Sequence, residues 1–414
     1  MEKKKLAVIG GGAAGFFCAV NVARLNPALE VVIIERSAKL LSKVRISGGG
    51  RCNVTHACFD IQDMVLKYPR GKNFVKKTFH QFFTVDTIEW FASRGVQLKT
   101  EADGRMFPVS NHSQTIIDCL LKEVNSLGVD ILMNRNVIKL GKQHELWKLF
   151  FSNGESFDAD FVCIACGGYS KSENFTWLEE MGHSIEPPVP SLFTFNIPGN
   201  LITSLMGVSV QDVTIRIAGT KHEQKGPLLI THWGLSGPAV LRLSAWAARD
   251  LQERNYTCNV IVNWIPDFHQ QSLMEQFKEL RETIASNKIK HSNPFRLPQR
   301  LWEFLLTESG IPDIRWGDLS TVLQNQLAKL LTSHEFSVKG KTTYKEEFVT
   351  AGGIRLSEVD ANTMRSKLHP SIFFAGEILD VDGITGGFNF QHAWTSGWIA
   401  ARTIAAEIPG VTIG

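Results

Sequence analysis

Residues 6–20, LAVIGGGAAGFFCAV, place a short apolar run directly before three glycines spaced as G-x-G-x-x-G. The β-branched run is typical of a central parallel strand, and the residues behind the glycines predict a helix. Gly10 permits the tight turn, Gly12 lets a pyrophosphate approach the backbone N–H groups at the positive end of the helix, and Gly15 allows the helix to pack close to the strand. The chain therefore begins with a strand–turn–helix unit of the Rossmann type.

A second strand is predicted in LEVVIIERS, residues 29–37, and Glu35 lies at its carboxyl end, twenty residues beyond Gly15. An acidic side chain at this position accepts hydrogen bonds from both hydroxyls of an adenosine ribose. Because an arginine would suit a 2′-phosphate instead, the pattern favours NAD or the ADP half of FAD. In a chain with 34 glycines the glycine spacing alone is weak evidence for nucleotide binding. The alternative is a Rossmann-like unit that binds no nucleotide.

Further glycine turns follow predicted strands elsewhere in the chain. KVRISGGGRCNVTH, residues 43–56, contains three successive glycines, which cost backbone entropy and which packing does not explain. Short polar side chains and an arginine flank them, so a phosphate- or ribityl-contacting loop is favoured over a flexible surface loop. Similar turns end the strands predicted in residues 154–170 and 368–405. Together these turns predict one long ligand along the carboxyl edge of a single sheet.

Several longer motifs resemble the two-dinucleotide-binding-domain flavoproteins, and within them the HI0933-like or YhiN-like family, some members of which are labelled aminoacetone oxidase family FAD-binding enzymes. The motifs are VIGGGAAG, ISGGGRCNVT, DGRMFPVS, GPLLITHWGLSGPAVLRLS, TAGGIRLSEVDANTMRSK and FFAGEILDVDGITGGFNFQHAW, and they extend nearly from end to end. The resemblance implies FAD as the cofactor. It implies that the cofactor-binding residues are Gly10, Gly12, Ala13, Ala14, Gly15, Glu35, Arg36, Lys43, Ser47, Gly48, Gly49, Gly50, Arg51, Cys52, Asn53, Val137, Ala165, Cys166, Gly167, Gly376, Glu377, Asp380, Gly386, Gly387, Phe388 and Asn389.

Within this set, the resemblance places the N-terminal glycines at the pyrophosphate, Glu35, Arg36 and Val137 near the adenosine, and residues 47–53 along the ribityl chain. Residues 376–377 and 386–389 would face the flavin. The last helix would direct its positive N-terminus at the N1/O2 edge, which would stabilise an anionic reduced flavin.

The predicted fold class is α/β, with a Rossmann-like FAD-binding domain of the two-dinucleotide-binding flavoprotein type. The FAD domain is predicted to comprise residues 1–190 and 351–414, interrupted by a β-barrel-like insertion with a small helical subdomain. Alternating apolar runs predict antiparallel strands in 191–265, helix formers dominate 266–335, and 336–350 would form the return strand. Clustered prolines at residues 187–190 mark the first boundary.

Few side chains are candidates for acid–base or thiol chemistry. His232, in ITHWGLSGP, is the predicted general acid or substrate contact, and a loop histidine bonded to backbone is the alternative. Cys163 and Cys166 form C-x-x-C, but they span a strand and its turn, and no second ligand pair completes a metal site, so neither a redox dithiol nor a metal is expected. His56 and His392 stand where the resembling family more often has Asn and Trp. The loop after Gly168 is also shorter than in that family, which leaves the substrate class open.

Charge and composition limit the partners. With 44 Lys and Arg against 41 Asp and Glu, the net charge of +3 argues against nucleic acid or an anionic membrane as the main partner. The seven scattered cysteines and the absence of a long apolar segment predict a cytoplasmic protein with reduced thiols and no membrane span.

The predicted activity is an FAD-dependent oxidoreductase that moves hydride through flavin N5 between a small organic substrate and NAD(P)H or another donor. No second G-x-G-x-x-G occurs between residues 60 and 340, so NAD(P)H is expected only as a transient reductant. A flavin oxidase of a small amine or amino ketone, and an FAD-binding RNA-modification or regulatory protein, are the alternatives.

Overall fold

The computed structural model describes residues 3–342 and 349–408, which form two compact units. One unit is built from the described part of 1–190 and 345–414, and the other from that of 191–344. The strands, in chain order, are β1 Lys5–Ile9, β2 Glu30–Ile34, β3 Thr55–His56, β4 Leu98–Thr100, β5 Arg105–Pro108, β6 Asp130–Leu132, β7 Val137–Gln143, β8 Leu146–Phe151, β9 Ser156–Ala159, β10 Phe161–Ile164, β11 Ile185–Ser191, β12 Thr194–Asn196, β13 Ser209–Ile217, β14 Glu223–Ile230, β15 Gly234–Ser236, β16 Thr257–Asn263, β17 His334–Lys339, β18 Lys341–Thr342, β19 Val349–Ile354 and β20 Ile372–Phe374. The helices are α1 Ala13–Leu25, α2 Ser42–Gly50, α3 Ile61–Val65, α4 Lys72–Phe79, α5 Thr84–Ala92, α6 Gln114–Leu127, α7 Thr176–Glu179, α8 Pro238–Trp246, α9 Ala248–Glu253, α10 Gln270–Thr283, α11 Gln299–Glu308, α12 Thr321–Ser333 and α13 Phe388–Ala406.

The first unit is organised by a parallel sheet with strand order β20-β10-β1-β2-β6. Strands β1, β2 and β10 are buried along nearly their whole length, as expected for a sheet covered on both faces. Two small antiparallel sheets, β3-β5-β4 and β7-β8-β9, and the pair β11-β19 complete the unit. The predicted Rossmann-type α/β fold is confirmed.

Helix α13 packs along α1 and closes the core of the first unit. Small residues permit the close approach, since a Cβ on Gly397 would lie 2.8 Å from the Ala14 carbonyl oxygen. Around this contact the ring of Phe17 packs on those of Trp90 and Trp394, at centroid distances of 4.5 and 5.2 Å. Truncating one such buried ring costs about 3–5 kcal/mol in the free energy of unfolding. The packing of α13 on α1 therefore contributes strongly to the stability of the first unit.

The second unit contains a seven-stranded sheet with the order β17-β16-β13-β14-β15-β12-β18. Strands β17 and β18 stand at opposite ends of this order, yet only Gly340, with a φ of +91°, separates them in the chain. The sheet must therefore curl until its two edges meet, which gives a barrel-like form. Helices α10, α11 and α12 pack beside it, and one apolar core that includes Trp264, Trp302 and Trp316 fills the unit.

No helix within residues 3–342 and 349–408 is both long enough and apolar enough to span a membrane.

Candidate cofactor site

The parallel sheet brings the predicted turns together at its carboxyl edge. Backbone N–H groups just beyond three strands donate across to neighbouring strand ends: Gly10 to the Ile34 carbonyl at 2.8 Å, Ala165 to that of Ile9 at 2.8 Å, and Ala375 to that of Ile164 at 3.0 Å. Because the strands are parallel and adjacent, the residues following β1, β2, β10 and β20 share one edge.

The turn between β1 and α1 has the form that a pyrophosphate requires. Gly10 has a φ of +115°, and a Cβ there would lie 2.4 Å from the Ala165 carbonyl oxygen. A Cβ on Gly15 would lie 2.0 Å from the Gly10 carbonyl oxygen, so both glycines serve close backbone packing. Gly12, which caps α1, differs because a Cβ there would meet no heavy atom within 4 Å. With no side-chain cap and no acidic residue in the first turn, the N–H groups of α1 are available to an anion.

Residues predicted to bind the adenosine lie around Glu35. Its carboxylate accepts hydrogen bonds from the Gly11 N–H at 2.8 Å, from the Ser37 N–H at 2.9 Å and from the Ser37 hydroxyl at 2.8 Å. The Arg135 N–H donates to the Glu35 carbonyl at 2.9 Å, and the buried Val137 follows two residues later. The side chain predicted to bind the ribose is thus held in a fixed orientation beside the glycine turn.

Arg36 and Cys166 approach each other from two of these turns. Arg36 is exposed, and its guanidinium carbon lies 5.9 Å from the centroid of the Tyr169 ring, which follows β10. Burial raises the pKa of the Cys166 thiol to about 11. Cys163 is buried within β10, and its sulfur interacts with Cys18 of α1. The two cysteines of the C-x-x-C motif therefore have different neighbours.

The three successive glycines all adopt positive φ values of 59°, 70° and 83°. For Gly48 the expectation that packing does not explain these glycines is wrong, since a Cβ there would lie 2.7 Å from a ring carbon of Phe107. Gly49 and Gly50 face open space, with no heavy atom within 4 Å of their Cβ positions. Their glycine character serves the left-handed backbone and leaves room for a ligand.

The side chains of Arg51 and Cys52, next to the glycines, make their contacts within the protein. The Arg51 guanidinium forms a 2.5 Å salt bridge with Glu101 and lies 3.9 Å from the centroid of the Phe107 ring. Cys52 is fully buried, and burial raises the pKa of its thiol to about 12, so the thiol stays protonated at neutral pH. The Ser47 hydroxyl donates to the Val44 carbonyl at 3.2 Å.

Asn53 joins the glycine loop to the start of the last helix. With its amide oriented to satisfy both neighbours, it donates to the Thr55 carbonyl at 3.0 Å and accepts from the Gly387 N–H at 2.9 Å. Residues 48–53 and residues 386–389 thus meet at one place, although more than 300 residues separate them in the chain.

The turn after β20 is anchored by carboxylates. Glu377 forms an ion pair with Lys43 and accepts a hydrogen bond from the Thr350 N–H at 2.8 Å. Asp380 accepts from the Gly352 N–H at 3.0 Å, and the Gly376 N–H donates to the Ser396 hydroxyl at 2.9 Å. Ser396, which the sequence analysis does not identify, ties this turn to α13.

The last helix begins in a constrained glycine turn. Gly387 caps α13 with a φ of +95° and contributes no side-chain cap, and a Cβ there would lie 2.5 Å from the Thr55 carbonyl oxygen. The Asn389 side chain bonds both the N–H and the carbonyl of Gly383 at 2.8 Å, which holds the loop rigid. The His56 Nδ1 lies 3.0 Å from the Gly386 carbonyl, and its ring stacks on Phe388. An uncapped helix of 19 residues presents a positive N-terminus at this turn.

A buried ion pair that the sequence analysis missed supports the same turn. Asp382 is fully buried and pairs in a bidentate manner with Arg70. The Tyr68 hydroxyl donates to the Phe388 carbonyl at 2.6 Å. An aspartate inside the apolar, glycine-rich stretch VDGITGG signals a need for a cationic partner, but the sequence does not reveal which one.

His232 belongs to the second unit, whereas the predicted cofactor residues belong to the first. Its side chain is exposed, and its ring centroid lies 4.5 Å from that of Trp233. Its role as a general acid stays a prediction.

The residues present fit FAD. Uncapped N–H groups at the start of α1, with open space at Gly12, suit the pyrophosphate, and the oriented Glu35 carboxylate suits the ribose. Open space at Gly49 and Gly50 and the uncapped N-terminus of α13 suit the ribityl and flavin portions.

Comparisons with known proteins agree with this fit. The family model described as the HI0933-like protein Rossmann domain matches residues 4–403. The chain is 29% identical over 416 residues to a ribosomal RNA dihydrouridine synthase of Escherichia coli, covering 98% of this chain and 99% of that protein. It is 27% identical over 414 residues to a 3-dehydro-bile acid delta(4,6)-reductase of Clostridium scindens, covering 98% of this chain and 100% of that protein.

Among solved structures, the open conformation of a flavocytochrome c3 fumarate reductase matches with a TM-score of 0.52 at 15% identity. The match covers 98% of this chain and 78% of that chain, and at this identity it supports the fold alone. The family match along nearly the whole chain confirms the family expected from the motifs: the chain belongs to the HI0933-like family.

Proposed function

We propose that this protein uses FAD to reduce a ring carbon–carbon double bond conjugated to a carbonyl, and that the substrate is uridine in ribosomal RNA. The observation that carries the proposal is the match along nearly the whole chain to two relatives with such names, a ribosomal RNA dihydrouridine synthase and a bile acid delta(4,6)-reductase. Reduction rather than oxidation of a small amine is the reaction that both names share.

The two named reactions have one chemistry. Conversion of uridine to dihydrouridine adds a hydride and a proton across the C5=C6 bond, and the C4 carbonyl conjugated to that bond accepts the electron density. Reduction of a ring double bond conjugated to a ketone adds the same two species to the same kind of bond. A site that supplies a hydride and excludes water can reduce either substrate, so the surface that binds the rest of the substrate determines the specificity.

FAD, when bound, supplies the hydride, and the chain supplies position and electrostatics. The uncapped N–H groups at the start of α1 would hold the pyrophosphate, and Glu35 would accept hydrogen bonds from the ribose hydroxyls. The Gly49–Gly50 backbone and the turn around Glu377 would hold the ribityl chain, and the uncapped N-terminus of α13 would stabilise negative charge on the reduced flavin. His232 remains the predicted proton donor.

RNA is favoured as the substrate because the relative with the higher identity acts on it by name. A free ring enone is the second candidate, because the bile acid reductase covers this chain equally well. NAD(P)H is proposed as the reductant, bound transiently, because the sequence has no second dinucleotide-binding motif.

Anaerobic single-turnover reduction tests the proposal. The FAD-loaded protein is reduced with NADPH, NADH or dithionite, and mixed with ribosomal RNA that lacks dihydrouridine. The RNA is then digested and its nucleosides are analysed by mass spectrometry. We expect reoxidation of the flavin and a matching amount of dihydrouridine. Reoxidation by a steroid enone but not by RNA would assign the second candidate. If neither substrate reoxidises the flavin, while an added amine reduces it and oxygen then yields peroxide, the protein is an oxidase and the proposal is wrong.

A further inference from the structure

Residues 59–80, here called the basic segment, carry an excess of positive charge. They contain five of the 44 Lys and Arg residues but only two of the 41 Asp and Glu residues, which leaves the rest of the chain with 39 of each sign. The near-neutral total therefore conceals local concentrations of charge, and the basic segment is one of them. Charge distribution, rather than net charge, determines where a polyanion binds.

The lysines of the basic segment are directed to solvent. On α4, Lys72, Lys76 and Lys77 are exposed, whereas Phe74 and Phe79 on the opposite side are buried. Lys67, before the helix, is half-buried. None of these four lysines forms a salt bridge with a residue in the described ranges 3–342 and 349–408. Their charges are thus available to an external anion.

The basic segment is attached to the flavin-end turn. The Lys67 carbonyl accepts a hydrogen bond from the Ile384 N–H at 2.9 Å, and Arg70 pairs with the buried Asp382. Burial lowers the pKa of His56, and the nearby charge of Lys67 lowers it further. Since the His56 ring bonds the Gly386 carbonyl, Lys67 lies near the turn where α13 begins.

Two large apolar side chains are exposed within the same segment. Phe59 is 60% exposed and Leu66 is 51% exposed. Phe59 precedes α3, which packs on α4. An exposed aromatic ring near exposed lysines suits single-stranded nucleic acid, since the ring stacks on a base and the lysines neutralise phosphates.

We propose that the basic segment is the RNA-docking surface of this enzyme, in which Lys67, Lys72, Lys76 and Lys77 bind phosphates and Phe59 stacks on an unpaired base. The inference rests on the proposed function, because it names the surface that delivers an RNA uridine to the flavin end. The surface holds the RNA by its backbone and a splayed base, so the nucleotide to be reduced is free to enter the site.

Fluorescence anisotropy with a labelled ribosomal RNA hairpin tests the surface, using the full-length FAD-loaded protein between about 50 and about 500 mM KCl. We expect Lys76→Glu/Lys77→Glu to weaken binding by at least about tenfold at the lowest salt and to reduce the slope of log Kd against log [KCl] by about 1.4–1.8, for two lost phosphate contacts. Phe59→Ala should weaken binding by about 5- to 150-fold with little change in slope, and Phe59→Tyr should restore it. The visible FAD spectrum of each variant should match that of the wild type.

Lys122→Glu/Lys139→Glu is the matched control. Both lysines are exposed, belong to the same unit and lie on α6 and β7, so the change in net charge is the same. Equal losses in the two double variants would overturn the proposal, because binding would then follow net charge alone. Tighter binding to anionic phospholipid vesicles or polyglutamate than to RNA would also overturn it.

The outcome is separable from that of the proposed function. If wild-type protein forms dihydrouridine and Lys76→Glu/Lys77→Glu binds RNA normally, the surface is wrong and the function stands. If wild-type protein forms no dihydrouridine, yet the charge and stacking variants alone lose RNA binding, the surface stands and the assigned reaction is wrong.

Discussion

Replacing Gly12 and Gly15 separately by alanine distinguishes a glycine that touches the cofactor from one that serves packing. At Gly12 the backbone is extended, with φ −98° and ψ −172°, which any residue adopts, and an added methyl group meets no heavy atom within 4 Å. At Gly15 the methyl carbon would lie 2.0 Å from the Gly10 carbonyl oxygen. The first substitution should therefore act on FAD and the second on the fold.

For Gly12→Ala we expect the free energy of unfolding of the apoprotein to stay within about 0.5 kcal/mol of wild type. FAD affinity should fall by about 10- to 150-fold, because the methyl group keeps the pyrophosphate from one charge-assisted hydrogen bond worth about 1.5–3 kcal/mol. For Gly15→Ala the apoprotein itself should lose about 1–3 kcal/mol, because helix and turn must separate.

Urea unfolding of the apoproteins and titration of FAD by fluorescence quenching measure the two quantities independently. Wild-type affinity for FAD in Gly12→Ala would refute the assignment of the pyrophosphate to the start of α1. A parallel loss of stability and affinity in Gly12→Ala would show instead that this glycine serves packing.

Three further substitutions test other parts of the molecule. Arg70→Leu removes the guanidinium that pairs with the fully buried Asp382, and should cost about 3–5 kcal/mol in urea unfolding; a loss below about 1 kcal/mol would contradict a stabilising role. Burial lowers the pKa of His392 to about 4 in the folded protein, whereas the unfolded chain has the ordinary value of 6.5. The unfolded chain therefore takes up this proton at a higher pH than the folded protein does, and the free energy of unfolding falls as the pH is lowered from 6.5 to 4. His392 should account for a loss of about 3 kcal/mol in the free energy of unfolding over this pH range. If the stability of His392→Phe depends on pH as that of the wild type does, this assignment to His392 is wrong. His232→Gln should lower turnover about 10²- to 10⁴-fold with FAD affinity unchanged if His232 is the proton donor, and normal turnover would remove it from the mechanism.

Local sequence predicted the Rossmann-type start of the chain because all of its constraints lie within 35 residues. The geometry of a single turn links the first strand, the glycine spacing and the acidic residue that ends the second strand. The structure places that residue, Glu35, beside the turn. The three glycines at 48–50 have different surroundings in the structure. Composition alone could not separate Gly48, which accommodates the Phe107 ring, from Gly49 and Gly50, which face open space.

The sequence by itself thus determined the fold class, the nucleotide-binding turn and the glycines that need unusual backbone angles. Only the tertiary structure decided which distant residues meet at the flavin end. Lys43 pairs with Glu377 across 334 residues, and Arg70 pairs with Asp382 across 312 residues. Such pairs are selected by the order of strands in the sheet and by the packing of α13 on α1, and neither leaves a periodic pattern in the chain. A long-range hydrogen bond from the Ile384 N–H to the Lys67 carbonyl likewise joins residues 59–80 to the turn before α13.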